Sequence, residues 1–490
     1  MNATLNATVN SALNMINVTA HNNALTPVPT LVVGLGQSGL SCARFLVQQG
    51  VPFAVTDSRE QPPGIVALRA ECPTVKTGLG DFDEKLFAWA QRLIVSPGVS
   101  LREPLIVDAQ RRGVEVIGDI EVFARMAQAP IVAITGSNGK STVTSLLSEM
   151  AKTAGRDVRT GGNIGTPALE LLMENEPDFY LLELSSFQLD STHALHAAAT
   201  VVLNISADHL DRYDDLAHYV ASKQRIYSDA GLAAQGVAVF NRDDSQVAAM
   251  LAGNVQQQKI SFGLGVPAED QFGRISLNNE SLNENSELWL ARGTEALLPV
   301  AQIRMAGEQA QANALAALAL GEVMGLSMAD MLATLKTFPG LPHRTQFVAE
   351  VDGVRWINDS KGTNVGATLS AVRGLAGPLV LIAGGQGKGA DFSPLADAVK
   401  DKVRVVILLG EDAVLMEKAL ADVVPVVRMS SVKGSMEAAV AQAQSLAQPG
   451  DTVLLSPACA SFDMFSGFVA RGEAFMAAVR ALSAVGGDES

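Results

Sequence analysis

Short apolar runs that end in glycine and continue as amphipathic helix recur along this chain. The stretch TLVVGLGQSGLSCARFLVQQGVPFAVTDS reads as strand, glycine turn, helix and a second strand closing near Asp57. The same pattern returns in IVAITGSNGKSTVTSLL over residues 131–147, where the turn carries Thr135, Lys140 and Ser141. DFYLLELSSFQL and VVLNISADHLDRY are buried strands with polar residues at their ends, and AHYVASKQRIY reads as a helix. RLIVSPGVS and GVEVIGDIEVF read as later strands of the first region and put its end near 118–130. The Pro/Gly break FPGLPHR stops a helix and sets the second boundary. Beyond it, PLVLIAGG, RVVILLG and DTVLLSP alternate with helical segments to the end of the chain.

This alternation predicts an α/β protein of three domains. The first is N-terminal and Rossmann-like (28–119), the second a central P-loop-type parallel sheet that binds ATP (120–340), and the third a C-terminal Rossmann-like doubly wound sheet (341–490). A length of 490 residues agrees, since one core rarely serves so long a chain. Residues 1–27 are rich in Asn, Thr and Ala without a basic start and an unbroken apolar run, so they read as a disordered extension rather than a signal peptide. The longest apolar stretch, ALAALALGEVMGL, is a buried helix too short to span a bilayer. Residues 264–294 read as a surface excursion.

Composition narrows the class. A net charge of −15 disfavours nonspecific nucleic-acid binding, while leaving anionic small molecules to local lysines and helix N-termini. Cys42, Cys72 and Cys459 are too scattered for a metal cluster or a disulfide framework. A cytoplasmic monomer with small-molecule substrates, no nucleic-acid partner and no membrane insertion is expected.

The chemistry concentrates in four places. Gly136 and Gly139 let backbone N–H groups close around phosphate oxygens, Lys140 adds a point charge, and Ser141 can hold Mg²⁺ at the positive end of a helix dipole. The generic phosphate-loop pattern would need glycine where Ile134 stands, so nucleoside triphosphate binding is expected without a generic nucleotidase assignment. Gly34, Gly36 and Gly39 form a G-x-G-x-x-G turn with Asp57 at the ribose-binding distance, which accepts a dinucleotide or any other pyrophosphate, a UDP-sugar included. Glu183 and His209 lie at strand ends and suit Mg²⁺, or Mn²⁺ given the histidine. Lys223, on residue pattern alone, reads as a solvated helix lysine. His343 and Arg344 close the FPGLPHR break, and Asp359, Lys361 and Thr363 follow a strand that ends at Ile357.

TGSNGKST, GGNIGTP, LELSSFQL, DHLDRY, KQRIY, LPHR, WINDSKGTN, GGQGKGADF and LSPACASFDMF follow one another in an order that resembles the Mur ligase family, in its D-glutamate-adding branch, over nearly everything after residue 28. The resemblance implies a ligase of peptidoglycan precursor synthesis that uses ATP to join the carboxylate of UDP-N-acetylmuramoyl-L-alanine to the amine of D-glutamate. It implies that Gly36, Gln37, Ser38, Asp57, Ser58, Arg59, Ser96, Gly98 and Asn163 contact the UDP-sugar. Gly136, Asn138, Gly139, Lys140, Ser141, Thr142 and Asn313 would contact ATP, with Arg344 and Asp359 reaching over from the C-terminal domain. Lys361, Thr363, Lys388, Ser461 and Phe468 would form the amino-acid pocket. Lys223 would be carbamylated and join Ser141, Glu183 and His209 around the metal, and Lys140, His209 and Lys223 would be catalytic. One departure stands in GEQAQAN: Asn313 is kept, but Ala310 occupies a position where relatives carry a second asparagine.

A carboxylate is a poor electrophile, so ATP must convert it to an acyl phosphate before the deprotonated amine can attack. Three rivals make different predictions. Another Mur ligase or a folylpolyglutamate synthase would share the ATP loop but prefer other substrates. An NAD-dependent oxidoreductase would leave the loop at 135–141 unexplained, and a noncatalytic regulator would bind ATP without turnover.

Overall fold

The computed structural model describes residues 25–173, 175–208, 212–252, 257–277, 287–305, 307–375, 377–429 and 436–485. It is an α/β protein with three sheets in two compact units. One unit holds the chain up to Ile205 with Ala217–Leu298 and Ala314–Thr334; the other holds Ser206–Leu216, Pro299–Asn313 and the chain from Leu335.

The first unit carries two sheets. The N-terminal one is wholly parallel in the order β3-β2-β1-β4-β5, from β1 (Thr30–Val33), β2 (Phe53–Asp57), β3 (Lys76–Leu79), β4 (Arg92–Val95) and β5 (Glu115–Ile117). Leu31, Val33, Leu93 and Val95 face one buried cluster while Val32, Val55, Ile94 and Ile117 face another, which is why these strands are apolar without alternation. The central sheet has the order β14-β13-β12-β11-β10-β9-β6-β8-β7. Its strands are β6 (Ile131–Thr135), β7 (Val158–Gly162), β8 (Phe179–Glu183), β9 (Ala197–Val202), β10 (Leu232–Asn241), β11 (Gln258–Phe262), β12 (Phe272–Leu277), β13 (Glu287–Arg292) and β14 (Glu295–Pro299).

Both sheets share one core. Val32, Ile94 and Ile120 belong to the same buried cluster as Ala133, Tyr180 and Val202, and Phe123 meets Tyr180 edge-on at 4.9 Å between ring centres. The helices that position the site are α1 (Gln37–Gln48), α2 (Asp119–Met126), α3 (Lys140–Thr153), α4 (Ser186–Asp190), α5 (Leu216–Gln224) and α6 (Phe468–Val485).

The second unit is built on the order β15-β16-β20-β17-β18-β19: β15 (Gln346–Val351), β16 (Val354–Asn358), β17 (Leu379–Gly384), β18 (Val403–Leu409), β19 (Val426–Arg428) and β20 (Thr452–Leu455). All its pairings are parallel except β15 with β16.

Three expectations need correction. In GVEVIGDIEVF the strand stops at Ile117 and the remainder is α2, because Gly118 ends the run and Asp119 and Glu121 favour a helix N-terminus. Residues 264–294 are not a surface excursion: β12 and β13 pair antiparallel within the central sheet, with Phe272, Leu290 and Ala291 buried, while residues 278–286 lie outside the described residues. Of the expected extension 1–27, residues 1–24 lie outside the described residues, and Leu25 is buried in the shared core. ALAALALGEVMGL is a buried helix as expected, and no helix among the described residues is long and apolar enough to cross a membrane.

Candidate active site

The glycine fingerprint lies where β1 is flanked by β2 and β4, the switch point at which parallel sheets place ligands. Helix α1 starts at Gln37 with no side-chain cap, and a Cβ on Gly39 would come within 1.9 Å of the Gly34 carbonyl oxygen, so the tight turn demands glycine there. Gly36, Gln37 and Ser38 follow β1, Asp57, Ser58 and Arg59 follow β2, and Ser96 and Gly98 follow β4. Two of these hold the turn itself. Ser96 Oγ donates to the Gly34 carbonyl at 2.8 Å, and buried Asp57 accepts from the Leu35 N–H at 2.6 Å, the Arg59 N–H at 2.9 Å and the Arg59 guanidinium at 2.8 Å. Burial alone would raise the Asp57 pKa, but these bonds from Arg59 and Leu35 hold it below the ordinary carboxylate value. Asn163 stands apart, following β7, and donates its side-chain amide to Glu183 Oε1 at 2.8 Å.

The phosphate loop runs from β6 to α3. Gly139 caps the helix with φ +85°, a conformation that costs a residue with Cβ about 1–2 kcal/mol, and again no side chain caps the helix. Lys140 Nζ donates to the carbonyls of Gly136 and Ser137 at 2.8 and 3.0 Å, while Ser141 and Thr142 are buried in the first turn. The loop is clamped by a residue the sequence reading did not single out. Asn204, just past β9, accepts from the Asn138 N–H at 2.8 Å, donates to the Asn138 carbonyl at 3.0 Å, and accepts at its own backbone carbonyl from the Ser137 N–H at 2.9 Å.

Lys223 corrects the reading as a solvated helix lysine. It is 1% exposed in the last turn of α5, its Nζ donating to Thr135 Oγ1 at 3.3 Å and lying 4.8 Å from the centre of the Tyr219 ring. Tyr219 in turn shares a hydrogen bond with Ser137 Oγ at 3.0 Å. Helical periodicity could not reveal this, because the burial comes from packing against the end of β6. Glu183 closes β8 in register with Ile134 and is 2% exposed. Its Oε1 takes the Asn163 amide, whereas Oε2 has no hydrogen-bond partner among the described residues. A buried carboxylate oxygen left bare is costly, so this atom fits a hard cation, and the Ser141 hydroxyl offers a second ligand of the same chemistry. His209, expected as ligand and catalytic residue, lies outside the described residues. Among the described residues no group of three or more His, Cys, Asp and Glu side chains could hold a metal ion.

The remaining expected residues belong to the second unit. Asn313 accepts from Gln309 at 3.1 Å, and Ala310 is buried one turn earlier on the same helix. Asp359 accepts from Ser456 Oγ at 2.7 Å and the Thr345 N–H at 3.0 Å. Burial pushes its pKa up to about 6 against these bonds and the nearby Arg344 charge. Lys361 Nζ lies 3.8 Å from the centre of the Phe468 ring, a cation–π contact at the start of α6. Thr363 follows on the same loop, Lys388 takes φ +54° after β17, and Ser461 is buried after β20. Arg471, also missed by the sequence reading, ties these loops together. Its buried guanidinium donates to Ser360 Oγ and O at 3.0 and 2.8 Å and to the Cys459 carbonyl at 3.1 Å, and Ser360 Oγ donates to the Phe468 carbonyl at 2.8 Å. Burial lowers the Arg471 pKa to about 10. Buried His343 accepts at Nδ1 from Asn358 at 2.9 Å, and burial lowers its pKa, in keeping with a neutral ring.

Three family models match in chain order: Mur ligase MurD-like, N-terminal domain at residues 29–118, Mur ligase middle domain at 134–321, and Mur ligase, glutamate ligase domain at 343–459. A UDP-N-acetylmuramoylalanine–D-glutamate ligase from Nitrosococcus oceani is 53% identical over 454 residues, covering 92% of this chain and 96% of that protein. Proteins of the same name from Marinobacter nauticus and Pseudomonas aeruginosa are each 49% identical over 457 residues, covering 92% of this chain and 98% of theirs. The fold resembles the UDP-N-acetylmuramate-alanine ligase of Thermotoga maritima, with a TM-score of 0.56 at 15% identity over 93% of this chain and 99% of that one. It also resembles a pseudomurein peptide ligase type C of Methanothermus fervidus, with a TM-score of 0.54 at 19% identity over 94% and 99%. With its phosphate loop, its buried lysine and three consecutive domain matches, the chain belongs to the Mur ligase family.

Proposed function

We propose that this protein is an ATP-dependent acid–amino acid ligase that adds D-glutamate to UDP-N-acetylmuramoyl-L-alanine, in the cytoplasmic synthesis of peptidoglycan precursors. The observation that carries the reaction class is the meeting, at the carboxy-terminal ends of β6 and β8 in the central sheet, of an uncapped phosphate loop, a buried lysine and a buried carboxylate with an oxygen left bare among the described residues. The choice of substrates rests on the relatives, whose printed names give D-glutamate as the amino acid.

In this reading residues 28–119 bind the UDP-sugar through Gly36, Gln37, Ser38, Ser58, Arg59, Ser96 and Gly98, with Asp57 shaping the turn. Residues 120–340 bind ATP through Gly136, Asn138, Gly139, Lys140, Ser141 and Thr142. Asn313, Arg344 and Asp359 are assigned to ATP as well, and within 341–490 Lys361, Thr363, Lys388, Ser461 and Phe468 take the amino acid. The substrate carboxylate attacks the γ-phosphorus and ADP leaves. Lys140 and the loop amides stabilise charge spreading over the transferred phosphoryl oxygens. The D-glutamate amine then attacks the acyl phosphate carbon, phosphate departs, and the nitrogen loses a proton. Lys361 and Lys388 supply positive charge for a dicarboxylate.

Ser141, Glu183 and Lys223 would hold Mg²⁺, or Mn²⁺, with His209 as a further ligand, and the metal would neutralise phosphate charge. A protonated Lys223 would repel that ion. Reaction of its neutral amine with CO₂, with loss of one proton, gives a carbamate anion that attracts it. Asn163 would serve by orienting Glu183.

Phosphate release with ATP, Mg²⁺ and UDP-N-acetylmuramoyl-L-alanine, comparing D-glutamate with L-glutamate, L-alanine and diaminopimelate, tests the proposal. Release with D-glutamate alone is expected. Release with another amino acid would keep the ligase chemistry but move the chain to another branch, and silence with all four would overturn catalysis.

A further inference from the structure

We infer that Gln346 is a positioning residue that locks a strained turn, His343–Thr345, and so presents Arg344 to the nucleotide, an inference that rests on the assignment of Arg344 to ATP above. His343 and Thr345 take φ +61° and +42° on either side of Arg344. Neither is glycine, and a β-branched residue such as Thr345 is a genuine outlier in this left-handed region. Such conformations persist only where the surroundings over-determine them, and they cluster at ligand clamps.

The surroundings here are specific. Gln346 and Asn358 face each other in the antiparallel β15–β16 ladder, and both side chains grip His343. Gln346 Oε1 accepts from the His343 N–H at 2.8 Å, and Asn358 donates to the ring Nδ1 at 2.9 Å. The His343 carbonyl accepts from the Lys361 N–H at 3.0 Å. On the other side of Arg344, the Thr345 N–H donates to Asp359 Oδ1 at 3.0 Å, and Ser456 Oγ donates to Asp359 Oδ2 at 2.7 Å.

The His343 ring is fixed from a third direction. It lies against Gly472 of α6, where a Cβ would come within 2.3 Å of Nδ1, and it meets the Phe468 ring edge-on at 6.1 Å between ring centres. Asn358 and α6 therefore hold the Cα–Cβ side of His343, while Gln346 holds its N–H. The angle φ is the rotation between those two, so together they keep it positive. Without the Gln346 acceptor, His343 can relax toward negative φ and turn the chain at Arg344 while its ring stays in place.

The test measures kcat and the KM of ATP, D-glutamate and UDP-N-acetylmuramoyl-L-alanine for Gln346→Ala and Gln346→Glu, each also in an Arg344→Ala background, with Tm recorded throughout. Gln346→Ala is expected to raise the KM of ATP about fivefold, as for the loss of one hydrogen bond, and to leave the KM of D-glutamate and of the uridine substrate unchanged. Gln346→Glu keeps an acceptor for the His343 N–H and should stay within about twofold of wild type. In the Arg344→Ala background Gln346→Ala should add nothing, because Gln346 acts through Arg344. A residue that serves folding alone would lower Tm, and kcat through the folded fraction, and leave the KM of ATP in place. That outcome would overturn the inference, as would an equal further loss in the Arg344→Ala background. If Gln346→Ala does not fold, Gln346→Leu fills its space without an acceptor, and an unchanged KM of ATP there would overturn the inference too. A wild-type KM of ATP in Arg344→Ala itself would instead remove the nucleotide assignment of Arg344, and the inference with it.

Discussion

Replacing Asn204 by alanine removes the side-chain clamp on the phosphate loop at Asn138 without substituting any residue assigned to ATP. Two bonds disappear, from the Asn138 N–H at 2.8 Å and to the Asn138 carbonyl at 3.0 Å, while the bond from the Ser137 N–H to the Asn204 backbone carbonyl remains. At about 0.5–1.5 kcal/mol for each bond, the loop loses roughly 1–3 kcal/mol of restraint. Asn138 is half-buried, so water can reach part of what is exposed and the lower half of that range is expected. If ATP binding must restore the lost order, its KM rises by about 5- to 25-fold, since each 1.4 kcal/mol is tenfold. Asn204→Asp should be worse than Asn204→Ala. The carboxylate can still accept from the Asn138 N–H, but it sets an oxygen against the Asn138 carbonyl and a negative charge near the phosphates. Phosphate release against ATP concentration, with calorimetric nucleotide binding and Tm recorded alongside, provides the assay. An ATP KM within twofold of wild type in a folded Asn204→Ala protein would refute the idea that this clamp orders the loop.

Lys140→Ala should abolish phosphoryl transfer and leave uridine-substrate binding intact, because Lys140 belongs to the loop after β6 and not to the turn after β1; calorimetry showing equal loss of both would undo the division of labour. Activity should fall when CO₂ is stripped from the buffer and return with bicarbonate, and indifference to both would show that Lys223 is not carbamylated or never exchanges CO₂. Burial holds the Asp359 pKa near 6 against an ordinary 3.8, so the folded state keeps this proton more tightly than the unfolded chain. The stability it contributes is therefore full below about pH 4 and lost as the pH rises through about 6. The Tm of the wild type should fall relative to Asp359→Asn across that window, and parallel curves would mean that the carboxyl does not titrate there.

Chemistry that depends on local spacing was readable from sequence. Gly34, Gly36 and Gly39, or Gly139, Lys140 and Ser141, act together because a single turn brings them together, and the order of the motifs carried the family. Contacts made by distant packing were not readable. Lys223 sits on a helix whose sequence is ordinary, and it packs against the end of β6 and the Tyr219 ring, which are distant or unmarked in the sequence pattern. Asn204 and Arg471 touch backbone carbonyls and N–H groups, which leave no residue signature, and Asp119 passed as part of a strand. Asp57 was expected to meet the ligand, and its carboxylate also accepts from Leu35 and Arg59, bonds that spacing alone does not reveal. The irregular stretch 264–294 hid two strands because FGRISL and ELWLAR are separated by a polar run that broke the pattern.

The core shared by the first two sheets bears on any attempt to build chimeras within the family. Exchanging the N-terminal region at residue 119 to alter nucleotide-sugar preference would leave Ile120 and Phe123 facing a foreign partner across the shared core, and moving the junction beyond α2 would instead part the edge-on contact of Phe123 with Tyr180. A graft that carries α2 with the incoming module would still need matching residues on β8, so the exchangeable block is the pair of sheets together, and family members that differ in uridine substrate should differ in concert on both sides of this seam.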